Sequence, residues 1–296
     1  MKKVILDFRF AAGDCLVLTN VLRDLQLNYP DEFQVEVMSY YPEIFYGNPN
    51  FTKFEDTDQI QCYKKIEQSE ATLTRNNFLH CSSIFNMIIS DFLFDDAYSI
   101  PQQSIYPELY LTDLEKSEKI IDKFGIEKPF WIVNSSFKQD MPLKSWIPYK
   151  WQELIYQLSK RNVNVVQTGS HYDLFEELKY CKSVIGKTEN IRDFISLCYH
   201  CEGIITHVSF PVHVAAALDK PCVVICGGRE HPWYSCYPNQ QVIHTINSIS
   251  NCFLSNGCFK KERSECINMV GSPAYPLCMS MISINEVLLN VMKYIS

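Results

Sequence analysis

Apolar and polar positions along this chain switch repeatedly between strand-length apolar runs and the three-and-four spacing of amphipathic helices. "KKVILDFRF" reads as a strand. "CLVLTNVLRDLQL" then sets Val17, Val21, Leu22 and Leu25 on one helical face, and Pro30 follows its end. "QVEVMSY" is a second strand. From Asn50 to about Pro107 the chain is polar and harder to read, with one helical patch at "IFNMIISDFLF". A regular block resumes with the strand "PFWIVNSS" and the helix "KWQELIYQLSKR", which spaces Trp151, Leu154, Ile155 and Leu158 along one face. The strand "VNVVQTG", a helix over "DLFEELKY" and a short strand at "KSVIG" come next. The helix "NIRDFISLCYH" carries Ile191, Phe194, Ile195 and Cys198, and "GIITHVSFPVHVAAALDKPCVVIC" closes the series as strand, small helix and strand.

This alternation implies parallel sheets with helices on both faces, an α/β chain. Two blocks, joined near "LTDLEKSEKIIDKFGIEK", imply two Rossmann-like domains facing a cleft, 1–125 and 126–296. No short-period repeat and no low-complexity segment interrupts them.

Composition narrows the partners. The 296 residues are 47% hydrophobic and 21% charged, an ordinary soluble globular balance. A net charge of −7 argues against non-specific binding to nucleic acid or to an anionic membrane surface. No apolar run approaches the roughly 20 residues of a membrane span, and "MKKVILDFRF" turns polar rather than continuing as a signal peptide. Thirteen cysteines, an odd number in a chain of this length, read as reduced thiols in a cytoplasm, with or without a metal cluster.

Ligands of open parallel sheets bind beyond the carboxyl ends of the strands, which selects three corners. In "RFAAGDCLVLTN", Gly13 lets the backbone turn before a helix and Asp14 lies at or next to the helix start. These few residues alone read Asp14 as an N-cap, and a capping aspartate that faces the cleft is also well positioned as a base. In "NSSFKQDMPLKSWIPYKW", Ser135, Ser136, Lys138 and Lys144 follow a strand, where a lysine is either solvated or a partner for phosphate. In the third corner Ser209 or Phe210 takes the N-cap and Pro211 suits the first helical position. Such a helix start offers amide hydrogens and a positive dipole end to an anion. His213, one turn inside, is on its own either a core histidine satisfied by a carbonyl or a ligand contact.

Together these motifs resemble glycosyltransferase family 9, the bacterial heptosyltransferases of the GT-B fold. The resemblance rests on Gly13-Asp14 followed by a helix ending near Tyr29-Pro30, on Asn48-Pro49, on "PELYLTDLEK" and on "LKSWIPYKWQEL", which has one extra residue before its proline. It continues through Gly186-Lys187-Thr188 and "VSFPVHVAAAL". It implies an inverting transfer of a heptose or related sugar from a nucleotide-diphosphate donor, ADP-linked first, to a hydroxyl acceptor on a glycan, a lipid-linked sugar or a protein. Asp14 would be the general base. Ser209 and His213 would contact the donor diphosphate, with Ser136 and Pro211 at the same site and Lys144 helping to neutralise it. Gly169 would allow close approach and Asp173 would reach the ribose. No catalytic metal is implied. The expected location is cytoplasmic, with peripheral attachment to the inner membrane and oligomerisation left open.

Two positions depart from the family pattern: Val208 stands where it has aspartate, and Phe210 where it has glycine. These admit two alternatives, a GT-B-like nucleotide-sugar binding protein without catalysis and a nucleotide-sugar epimerase. Near the end of the chain, Cys252, Cys258, Cys266 and Cys278 fall in a loop-rich stretch before an amphipathic helix. The subgroup that heptosylates autotransporter proteins looks similar in using four cysteines for iron. The spacing lacks a Cys-x-x-Cys knuckle, so the four read either as thiols packing a loop or as a structural zinc or iron site.

Overall fold

The structure is a computed structural model that describes residues 1–55, 57–67, 69–70, 79–95, 99–136, 142–173, 176–245, 266, 268–271 and 275–295. The chain divides into two compact units, Met1–Thr112 and Asp113–Ser296. The division falls ahead of the boundary expected at residue 125. The physical reason is that the helices α3 (Asp113–Lys116) and α4 (Lys119–Phe124) are fastened to α6 (Ile191–His200) of the second unit. Arg192 Nε meets Glu115 Oε1 at 2.5 Å, Ser196 Oγ donates to Glu115 O at 2.6 Å, and His200 Nε2 lies 2.9 Å from Ser117 O.

In the first unit, β1 (Lys2–Asp7) lies between β2 (Phe33–Met38) and β3 (Cys62–Lys65), all parallel, in the order β2-β1-β3. The helix α1 (Ala12–Asn28) buries Leu16, Val17, Leu18, Val21, Leu22 and Leu25, far more of its surface than a single stripe. Its buried polar side chains organise the segment that periodicity left unread. Thr19 Oγ1 accepts from Glu108 N–H at 2.8 Å, Asn20 Nδ2 donates to Ile105 O at 2.7 Å, and Asp24 Oδ2 accepts from Gln103 N–H at 3.0 Å. An irregular strip is thereby laid along α1 with its backbone satisfied by side chains. The expected helical patch is α2 (Cys81–Phe94), and its Phe85 packs edge-on against Phe8 at 5.0 Å between ring centroids.

The second unit holds a six-stranded, wholly parallel sheet. Its strands are β4 (Phe130–Asn134), β5 (Asn164–Thr168), β6 (Lys182–Ser183), β7 (Gly203–His207), β8 (Cys222–Gly227) and β9 (Gln241–His244). Their spatial order is β6-β5-β4-β7-β8-β9. Taking β4 as the first, this is the doubly wound order in which the direction of winding reverses between the two central strands, the place where open parallel sheets bind their ligands. The helices α5 (Pro148–Ser159), α6 and α7 (Phe210–Ala217) connect the strands, and α8 (Pro232–Ser235) follows β8. Near the C-terminus, the antiparallel pair β10 (Met269–Val270) and β11 (Tyr275–Pro276) precedes α9 (Leu277–Met281) and α10 (Ile284–Met292). A Ser283–Glu286 capping box starts α10.

The helix expected over "DLFEELKY" does not form among the described residues of that stretch. Side chains from neighbouring elements take the backbone groups a helix would pair: Gln167 binds Glu176 O and Leu178 N–H, and Gln152 Oε1 accepts from Lys179 N–H.

Candidate functional site

The switch point between β4 and β7 gathers most of the sequence-derived candidates of the second unit. Beyond β4, Ser135 and Ser136 are both buried. Ser136 Oγ donates to Asp173 Oδ2 at 3.1 Å, so two residues expected independently at the donor site are hydrogen-bonded to each other. Gly169, following β5, faces Ser136: a Cβ built at 169 would lie 2.5 Å from Ser136 Oγ. The close approach that glycine permits here is that of the serine.

Beyond β7, Ser209 takes the N-cap of α7 in an extended conformation, and Pro211 lies in the first turn, one residue later than the first helical position. The Ser209 hydroxyl makes no capping bond. It lies 3.2 Å from Thr206 Oγ1 and donates to His207 O at 3.3 Å. The amides that open α7 therefore receive no side-chain cap, while the positive end of the helix dipole points to the same corner. The small inner face of "VHVAAA" lets α7 lie close to the sheet, with Val212, Val214 and Ala215 buried. His213 is buried one turn inside, its Nδ1 2.9 Å from Tyr237 Oη. Phe210 turns toward α6, with its ring 5.9 Å from that of Phe194.

Lys144 comes to this corner from the loop before α5. Its ammonium donates to Val208 O at 3.3 Å and pairs with Glu230, which lies just past β8. Burial alone would raise the Glu230 carboxyl. The Lys144 charge and hydrogen bond, then Ser235 and Arg229, outweigh burial and hold it below its ordinary value. Two residues later in that loop, Trp146 N–H donates to His207 Nε2 at 2.9 Å. The neutral His207 ring therefore carries its proton on Nδ1. Burial pushes the His207 pKa down to about 3, only partly offset by the Ser136 backbone. The last residue of β7 is thus a neutral imidazole locking the Lys144 loop to the sheet.

In the first unit, the turn after β1 leads into α1 with Ala11 at the N-cap and no side-chain cap. Asp14 is not the cap. It sits half-buried in the first helical turn, where the dipole favours a carboxylate. Gly13 lies beside it inside the helix. Cys15 does not compete as a nucleophile, because burial pushes its thiol up to about 12. The register sets Asp7 opposite Met38 and Lys65, which puts this turn at the carboxyl edge of the three-stranded sheet.

Of the four cysteines singled out, Cys252 and Cys258 lie outside the described residues. Cys266 is half-buried and donates to Asn268 O at 3.4 Å, and Cys278 is buried on α9. Among the described residues, no group of three or more His, Cys, Asp or Glu side chains is placed to hold a metal. No described helix is long and apolar enough to cross a membrane.

Residues 71–264 match the family model described as glycosyltransferase family 9 (heptosyltransferase), more than half of the chain. The chain belongs to glycosyltransferase family 9. A lipopolysaccharide heptosyltransferase 2 of Salmonella typhimurium is 30% identical over 145 residues, 44% of this chain and 40% of the relative. The match thus spans about two fifths of the length of the curated relative. The solved structure of E. coli ADP-heptose lipopolysaccharide heptosyltransferase II has a TM-score of 0.64 at 18% identity, covering 99% of this chain and 98% of that one. Dodecameric iron-containing heptosyltransferase TibC, solved with ADP-D-β-D-heptose, has a TM-score of 0.69 at 13% identity, covering 99% of this chain and 76% of TibC. At these identities the likeness is one of fold, and it is the GT-B fold that the motifs imply.

Sequence reasoning noted His207 at the corner without giving it a role, and missed Glu230 and Tyr237. A polar cluster at a strand end, as in "GGREHP", is a weak local signal for Glu230. Nothing local in the sequence pairs Glu230 with Lys144.

Proposed function

We propose that this chain is an inverting glycosyltransferase that moves a heptose or a related sugar from an ADP-linked donor to an acceptor hydroxyl. The observation that carries the reading is the uncapped start of α7 at the switch point, beside Ser136 and Lys144, in a member of family 9. The donor diphosphate takes the Phe210 N–H and the dipole of that helix start, Pro211 having no N–H and Val212 N–H being bonded to Ser209 O, with Ser209 and Pro211 at its edge and His213 below it. Asp173, hydrogen-bonded to Ser136, reaches the ribose.

Asp14 is the general base in this reading. Its carboxylate takes the proton of the acceptor hydroxyl as that oxygen attacks the anomeric carbon from the face opposite the leaving nucleoside diphosphate. The bond to the diphosphate breaks as the new glycosidic bond forms, which inverts the anomeric configuration. Charge on the leaving group is met by fixed dipoles, so the transfer needs no catalytic metal. A cytoplasmic location goes with a nucleotide-sugar donor. The reading extends to a structural zinc or iron held by Cys252, Cys258, Cys266 and Cys278, since a closed four-sulfur shell leaves no position for substrate.

The test is a thermal-shift screen against nucleoside diphosphates and their sugars, followed by product analysis. At a hundredfold excess over the dissociation constant, binding should stabilise the fold by about 2.7 kcal/mol, with ADP and its sugars first. Free ADP together with a glycosylated acceptor supports transfer. An isomerised nucleotide sugar, or no response to any nucleotide, overturns it.

A further inference from the structure

Lys144 stands at the donor corner with its charge already answered. Its ammonium pairs with Glu230, whose side chain is only 8% exposed, while that of Lys144 is 23% exposed. Glu230 is fixed from several sides. Its Oε2 accepts from Ser235 Oγ at 2.9 Å, and its backbone carbonyl accepts from Cys226 Sγ at 3.4 Å. A diphosphate arriving at Lys144 would meet an ammonium paired with an immobile carboxylate, on which the Arg229 charge also acts, so the attraction of the ammonium is partly opposed by the carboxylate. Such a pair is poorly suited to neutralise an anion.

It is well suited to an uncharged hydroxyl. The ammonium has three donors, and each carboxylate oxygen can accept more than one hydrogen bond. A neighbouring pair of hydroxyls can therefore accept from Lys144 and donate to Glu230 at once, in charge-assisted bonds. The location agrees. Lys144 touches the carbonyl of Val208, immediately before the N-cap Ser209, so a group linked to a phosphate on the helix start falls within its reach.

We propose that Glu230 is a specificity-determining residue, and that the Lys144–Glu230 pair binds hydroxyl groups of the transferred sugar rather than the donor diphosphate. The inference rests on the nucleotide-sugar reading above. Glu230 positions Lys144 and presents its own carboxylate edge. The diphosphate is left to the Phe210 N–H and the dipole at the start of α7, since Pro211 has no N–H and Val212 N–H already donates to Ser209 O at 3.0 Å.

The experiment compares ADP with ADP-linked heptose by calorimetric titration of the full chain, in wild type and in Glu230→Gln. The variant should bind ADP within about twofold of wild type and the nucleotide sugar about tenfold or more weakly. Because Glu230→Gln leaves Lys144 without its counter-ion and could impair folding, the double variant Lys144→Gln/Glu230→Gln, neutral on both sides, is titrated in parallel with the same expectation. Glu230→Asp should recover part of the sugar-dependent affinity, which a merely structural role would not produce. Equal changes for ADP and for the nucleotide sugar would overturn the proposal and return the pair to the diphosphate. A folded wild type that binds neither would overturn the nucleotide-sugar reading itself, and this inference with it.

Discussion

Ser136 fills the space in front of Gly169: a Cβ at position 169 would lie 2.5 Å from Ser136 Oγ and 2.8 Å from Ser136 Cβ. No rotation of the serine relieves the second contact. Gly169→Ala should therefore cost about 1–3 kcal/mol of stability by overpacking. It should also displace the hydroxyl that holds Asp173. Ser136→Gly in the same chain removes both clashing atoms and should recover most of that loss. Urea denaturation of the two single variants and the double variant checks this, and strict additivity of the two changes would refute the contact as the cause.

Asp14 is placed in the first turn of α1 but is not its cap. Asp14→Asn should reduce turnover on the order of 10²- to 10⁴-fold while leaving donor affinity nearly intact. Loss of the favourable charge near the helix start should cost no more than about 1 kcal/mol of stability. Steady-state kinetics beside a thermal melt separate the two effects. Full turnover in the folded variant would remove Asp14 from the mechanism.

His207 makes stability depend on pH. Folding lowers its pKa from 6.5 to about 3, chiefly by burial. Between those values the unfolded chain binds a proton that the folded chain refuses. The stabilisation is complete above about pH 6.5 and is lost as the pH falls toward 3, at about 1.4 kcal/mol per pH unit for one proton. His207→Gln keeps an acceptor for Trp146 N–H and does not titrate. Denaturation curves between pH 7 and pH 4 should show a shallower decline for this variant, and identical slopes would rule His207 out as the source.

The four-cysteine proposal predicts about one equivalent of zinc or iron per chain in protein purified without chelators. Replacing Cys266 with serine should release it. Elemental analysis decides: less than about a tenth of an equivalent, with freely reactive thiols, makes these cysteines ordinary packing residues.

Much of the second unit was legible because its strands are short, continuous apolar runs and its helices carry single apolar faces. "FWIVN", "GIITH" and "CVVICG" are buried along their whole length, as strands in the middle of a parallel sheet must be. The first unit was less legible for two physical reasons. Its strand β3, "CYKK", carries only partly buried and exposed residues at the sheet edge, so it has no apolar signature. The strip at 103–108 is ordered by Thr19, Asn20 and Asp24 on α1, side chains that pair with backbone far along the chain.

By itself, then, the sequence determined the α/β class, the two blocks and the strand-to-helix corners, because apolar periodicity and helix-start residues act over a few neighbours. Only the tertiary structure decided that the described residues of "DLFEELKY" form no helix, since Gln152 and Gln167 capture their backbone from other elements. Only it decided that Gly169 serves Ser136, and that Lys144 is an ion-paired lysine rather than a spare charge. Those outcomes depend on which strand ends the sheet order makes adjacent. The reversal between β4 and β7 brings Ser136, Lys144, Ser209 and Glu230 to one edge, and a property of the sheet as a whole leaves no trace in any short stretch of sequence.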